Sequence, residues 1–200
     1  PLTVLGTNKF QSSFSTFTSS RNYYTNGYLT DIHRNKYFIL SFIGSSAGTL
    51  MVSRLSDEIL RTLIPILLIT VAVFFIINRQ VKTDLSNYIV LLTPLIFLIG
   101  FYDGFFGPGT GSFFVMLFLV FKNQSLLEST ATSKLLNFAS NFAAFIIFAV
   151  QGFVMWELGL IMAVGGTGGA YLGSKSAIKV GDKLIRPVSY THLRAHETPV

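Results

Sequence analysis

The chain has 200 residues, of which half are hydrophobic and only 12% charged, with a formal net charge of +6 and no cysteine. A water-soluble domain carries about 25% charged residues, and this much apolar mass cannot be hidden inside one small core; the mean hydropathy of +0.57 agrees. The lack of cysteine excludes disulfides, thiolate catalysis and Cys-ligated metals. The Lys and Arg residues fall mostly between apolar runs, where loops of a membrane protein hold them, so nucleic acid is not an expected partner.

The chain opens with Pro1, its first Met is Met51 and no signal peptide is visible, so a fragment without its N-terminus is expected. Residues 6–29 are polar for a membrane helix and, taken alone, read as a loop. Residues 37–53, running on to Leu55, form an apolar stretch. Its small residues Gly44, Ser45, Ser46, Ala47 and Gly48 let membrane helices approach closely. Residues 59–78 are the clearest span, with Pro65 tolerable near its start. Residues 87–122 exceed one straight span of about 20 residues and are broken at Gly104–Gly111. Residues 132–154 and 156–174 give two more spans, with Trp156 and Glu157 marking an interface.

A repeat changes the view of residues 6–29. Thr7, Lys9, Ser15, Phe17 and Gly27 match Thr132, Lys134, Ser140, Phe142 and Gly152 at one offset. Gly48, Ser53 and Leu63-Ile64 match Gly169, Ser174 and Leu184-Ile185 at an offset four residues shorter, the change falling near Asp31–Lys36. Halves related in this way are a sign of secondary transporters. The first segment then becomes a helix facing a wet interior. The partner of the Gly-rich break would precede Pro1, and a last span matching 66–78 would follow Arg186. The division expected is 1–86 for the end of a first repeat and 87–187 for a second. Residues 188–200 look like a non-native tail, and His192 and His196 within it are not expected to hold a metal.

Four features can carry chemistry. The run Gly107-Pro108-Gly109-Thr110-Gly111 exposes backbone and breaks the helix. A new helix from about Thr110 to Lys122 would direct unpaired N–H groups and partial positive charge at the break, which suits an anion. A plain kink is the other possibility. Ser133, Asn137, Ser140 and Asn141 share one helix face, and their repeat partners are Asn8, Ser12, Ser15 and Thr16. These stripes either line a path or bond helices together. Lys9 and Lys134 lie at matching places, taken as near helix starts, and either face an anion or snorkel to headgroups. Asp103, deep in residues 87–122, either binds a driving proton or Na⁺ or hydrogen-bonds the broken backbone; the latter is favoured.

The run GFYDGFFGPGTGSF at 100–113, followed by ATSKLLNF at 131–138, resembles the TauE/SafE family of sulfite exporters, and GTNKFQSSFST at 6–16 resembles the same element in that family's first half. The resemblance covers residues 1–187. It implies an integral membrane protein of about eight spans in two repeats, moving sulfite, sulfonates, related sulfur oxyanions or small organic anions. A full member would be longer at both ends.

These observations predict an all-α, polytopic transmembrane helical bundle with an internal two-fold repeat and a broken helix at Gly104–Gly111. The expected function is a secondary carrier for a small anion in a bacterial cell membrane. The substrate would be held by Gly107, Pro108, Gly109, Thr110, Gly111, Lys9, Lys134, Asn137 and Asn141. Lipid and the anion are the expected partners, with no catalytic residue, metal or cofactor. The absence of a G-x-x-x-x-G-K-[ST] run speaks against ATP hydrolysis by this chain. An anion channel or a membrane-embedded enzyme are the other classes considered. If residues 87–122 cross the membrane once, the halves run parallel; if they form a hairpin, the halves are inverted.

Overall fold

The computed structural model describes residues 1–77 and 85–195, apart from the side chains of residues 57, 72, 74–77, 87 and 182–195. The described residues are all-helical: α1 (Leu2–Thr25), α2 (Arg34–Val52), α3 (Asp57–Ile77), a 3₁₀ turn (Ser86–Leu91), α4 (Leu92–Phe105), α5 (Thr110–Lys122), α6 (Leu126–Val150) and α7 (Trp156–Ala195). Asn78 of the expected 59–78 span, and His196 of the tail, lie outside them. The side chain of His192 does too. The backbone of α7 continues past Val188 to Ala195.

Two helical stretches, Tyr88–Phe105 and Leu126–Val150, are long and apolar enough to cross a membrane, and α5 is apolar but shorter. Large apolar side chains cover the outside, among them Ile66, Ile69, Ile161, Val164 and Leu172. A surface of this kind suits a lipid solvent, as expected of a helical membrane protein.

Helix α1 is polar yet central, packed between α6 and α7. Its hydroxyls are satisfied locally. Thr7, Ser13, Thr16 and Thr18 each donate to the carbonyl four residues earlier, at 2.6–2.9 Å. Backbone acceptors within the same helix remove most of the cost of placing hydroxyls away from water.

The long apolar stretch becomes a hairpin. The Leu85 N–H donates to the Val120 carbonyl at 3.0 Å, so the start of the first arm lies beside the end of the second. Nearer the tip, the rings of Tyr102 and Phe113 meet edge to face at 5.9 Å, and the Tyr102 hydroxyl donates to the Pro108 carbonyl at 2.9 Å. Phe106–Gly109 turn the corner between the arms. Gly107 and Gly109 adopt φ of 101° and 82° there, left-handed values that cost little only for glycine. The bounds of α5, Thr110–Lys122, are those predicted from the Gly-Pro-Gly run.

The start of α6 differs from expectation. Ser125 and Glu128 form a reciprocal capping box, so the helix begins at Leu126 rather than near Thr132. Lys134 is therefore about 12 Å along the helix, and Lys9 lies a similar distance into α1, which begins at Leu2. Neither lysine is at a helix start, and the easy escape to headgroups assumed from that position is lost.

The hairpin docks on α2 through glycine. A Cβ on Gly104 would overlap the Ser45 carbonyl, and one on Gly100 would sit 2.7 Å from the Ser41 carbonyl. Gly44 and Gly48 of α2 likewise face the backbone at Phe97 and Phe101. From the same stripe of α2, Ser41 Oγ and Ser45 Oγ donate to the Leu136 and Ser140 carbonyls of α6 at 3.0 and 2.6 Å. The hairpin, α2 and α6 thus form one block. Phe114, Phe118, Ile96, Leu92 and Leu136 fill its core.

Candidate functional site

At the hairpin tip lies a cavity of about 490 Å³, walled by α1, α3, the Asp103–Gly111 segment and α6. The structure brings all nine residues singled out from sequence to this one space. Gly107, Pro108, Gly109, Thr110 and Gly111 form the tip, Lys9 comes from α1, and Lys134, Asn137 and Asn141 come from α6.

The tip is built from backbone. Ser112 N–H and Phe113 N–H both turn back to the Gly109 carbonyl at 2.9 and 3.2 Å, and Thr110 N–H and Oγ1 go to the Gly107 carbonyl at 3.3 and 2.8 Å. Among the described residues, the Gly111 N–H makes no such bond. Thr110 Oγ1 also reaches Asn137 Oδ1 at 3.4 Å, tying the start of α5 to α6. A Cβ on Gly111 would lie 3.1 Å from Asn137 Nδ2, so the lack of a side chain keeps that amide in line with the helix start.

The two polar stripes divide. Asn8, Ser12, Ser15 and Thr16 on α1, with Asn137 and Asn141 on α6, line the cavity. Ser133 and Ser140 instead bond across the helix interface. Ser133 Oγ donates to the Gly111 carbonyl at 2.8 Å, and Ser140 Oγ donates to Asp103 Oδ2. Lining and interhelical bonding therefore both occur, on the same helix face.

The two lysines also part. Lys9 Nζ donates to Asp103 Oδ1 at 2.7 Å and to the Asp103 carbonyl at 2.5 Å, forming an ion pair whose side chains are each 3% exposed. The sequence did not signal this pair. The expected bond from Asp103 to the broken backbone is not what the structure shows: its carboxylate accepts instead from Lys9 and Ser140. Lys134 is half-buried and lines the cavity. No acidic group or hydrogen-bond acceptor among the described residues meets its ammonium. Asn141 is buried to 7% exposure and likewise forms no hydrogen bond to the described residues.

Five wall residues were missed from sequence: Val4, Leu5, Phe106, and Ile64 and Leu68 of α3, all of them apolar. They carry no polar mark, and only tertiary packing, such as the apolar cluster that joins Ile64 to Leu2 and Phe10, places them there.

A family model described as sulfite exporter TauE/SafE matches residues 1–193. A probable membrane transporter protein, ORF9, of a Sinorhizobium species is 37% identical over 194 residues, which is 94% of this chain and 74% of that protein. The probable membrane transporter protein YfcA of Escherichia coli K12 is 33% identical over 193 residues, covering 94% and 71%. One from Haemophilus influenzae is 32% identical over 197 residues, covering 94% and 75%. No solved structure matches the chain.

Proposed function

The chain belongs to the sulfite exporter TauE/SafE family of membrane transporters, and from that premise we propose that it is a secondary carrier for a small anion, a sulfur oxyanion or sulfonate, held at the tip of the α4–α5 hairpin. The observation that carries this reading is Lys134. Lys134 lines the cavity, and no acidic group among the described residues pairs with it. A cation at membrane depth costs about 3 kcal/mol or more, and a bound anion offsets that cost. The start of α5 adds the partial positive charge of its first turn, and the Asn137 and Asn141 amides offer donors around the same space.

The depth of the site supports transport. The shorter arm, α5, has 13 residues and reaches about 20 Å, less than the hydrocarbon thickness of about 30 Å. A hairpin of that reach puts its tip inside the slab, where alternating-access carriers hold their substrates. A multi-pass protein of a bacterial cell membrane, driven by an ion gradient or the membrane potential, fits this arrangement.

Flux into proteoliposomes tests it, with sulfite, thiosulfate, a taurine-like sulfonate and chloride compared. Saturable flux of one anion class is expected. Lys134→Ala removes the unpaired cation, and Gly109→Leu places a side chain at a φ of 82°, so each is expected to lower flux at least tenfold. Full flux in both variants would remove the site assignment. A linear, non-saturating current would make the protein a channel.

A further inference from the structure

Three ionisable groups line the cavity among the described residues: Lys9 from α1, Asp103 from α4 and Lys134 from α6. The wall from α3 adds only Ile64 and Leu68. Lys9 and Asp103 neutralise one another at 2.7 Å. The pair is fixed on all sides. Ser140 Oγ donates to the second carboxylate oxygen, and the Asp103 carbonyl accepts from the same ammonium. Gly107 leaves the room the pair needs, since a Cβ there would sit 3.0 Å from Lys9 Nζ and 3.1 Å from Asp103 Oδ1. One positive charge, on Lys134, is left uncompensated.

We infer that Asp103 sets the charge of the anion this site takes: by neutralising Lys9 it leaves a single free cation, so the cavity selects a singly charged oxyanion over a doubly charged one. The inference rests on the anion-carrier reading above and narrows its substrate class. The physical reason is the cost of net charge in a poorly solvated space. A monoanion brings the loaded cavity to neutrality. A dianion leaves one negative charge with no partner among these groups. Without the Asp103 carboxylate the balance reverses, because two cations then face the ligand.

Calorimetric binding to the detergent-purified chain tests this, with methanesulfonate as the monoanion and sulfate as the dianion. The wild-type chain is expected to prefer methanesulfonate by at least tenfold. Asp103→Asn is expected to shift that ratio at least tenfold toward sulfate. Lys9→Met leaves Asp103 facing Lys134, so both anions should bind at least tenfold more weakly. Adding Asp103→Asn to Lys9→Met returns the cavity to one positive charge and should bring the methanesulfonate preference back. A pair serving packing alone gives no such recovery. A folded Asp103→Asn variant with the wild-type ratio overturns the inference. So does a folded double variant that binds methanesulfonate no better than Lys9→Met, and that comparison decides alone if Asp103→Asn does not fold. A wild-type chain that binds neither anion removes the carrier reading as well, whereas an unchanged ratio in Asp103→Asn leaves that reading standing.

Discussion

Ser140 and Asn141 are neighbours on α6, and their side chains have opposite fates. Ser140 is fully buried and completes the shell of the Asp103 carboxylate. Asn141 lines the cavity with its amide unbonded to the described residues. The two substitutions should therefore separate stability from binding. Ser140→Ala leaves a buried carboxylate oxygen short of a donor, a loss of about 1–3 kcal/mol, and should lower the thermal unfolding temperature measurably. Asn141→Leu removes no such bond. It should leave unfolding within about 0.5 kcal/mol of wild type while weakening anion binding by roughly tenfold, the worth of one hydrogen bond of about 1–1.5 kcal/mol. A stability loss in Asn141→Leu equal to that of Ser140→Ala would show the amide to be structural.

Glycine does two different things at the level of whole helices. On α4 and α2, Gly100, Gly104, Gly44 and Gly48 let two backbones touch, as in the small-x-x-x-small pattern of membrane helices. On α7, Gly165, Gly168, Gly169 and Gly173 meet open space among the described residues. Gly104→Ala must push α2 and α4 apart, because the new methyl overlaps the Ser45 backbone, and a loss of about 1–3 kcal/mol is expected. Gly168→Ala has room, and the gain in helix propensity, up to about 1 kcal/mol, should leave the protein as stable or more so. Urea or thermal unfolding in one detergent checks the contrast; equal destabilisation by both would refute it. The same elements show what a sequence can and cannot tell. The bounds of α5 were readable because Gly-Pro-Gly breaks one helix and Thr110 starts another by local chemistry alone. The helical state of α1 was readable only through its likeness to α6, since its own composition says loop. The start of α6 was missed although Ser125 and Glu128 spell a capping box, because the matched segment near Thr132 drew the boundary inward. The Lys9–Asp103 pair joins positions 94 residues apart. No local pattern chooses that partner; it follows from the hairpin tip folding against α1.

Taken as a whole, the described residues fit the two-fold repeat expected from the sequence. Helix α1 packs on α7 while α6 packs on α2, the reciprocal contacts a two-fold repeat requires. Both α1 and α6 end in the same cap. Gly27 and Gly152 have φ of 79° and 78°. Their N–H groups bond Tyr24 and Ala149, both at 3.1 Å, and the next residues bond Tyr23 and Phe148 at 3.0 and 2.8 Å. These are equivalent positions at the offset that relates Lys9 to Lys134. The division at residues 86 and 87 is proposed on this ground. The hairpin then decides the sense of the repeat. The 26–33 connection joins the far end of α5, through Lys122 and Asp31 at 3.1 Å, and so lies beside the start of α6. The 151–155 connection lies at the other end of α6, where Met155 N–H donates to Thr7 Oγ1 at 3.0 Å and Gln151 Nε2 donates to Ser53 Oγ at 3.2 Å. Helix α6 has 25 residues and is about 37 Å long, more than the hydrocarbon thickness of about 30 Å. If α6 crosses the bilayer, the two connections emerge on opposite faces, and we propose on this ground that the halves are inverted. The chain has no cysteine, so single cysteines report cleanly. Ile32→Cys, 86% exposed, and Gln151→Cys should react with a membrane-impermeant maleimide from opposite sides of oriented vesicles. Labelling of both from one side would make the halves parallel and would refute the hairpin, and with it the placement of the anion cavity at the hairpin tip.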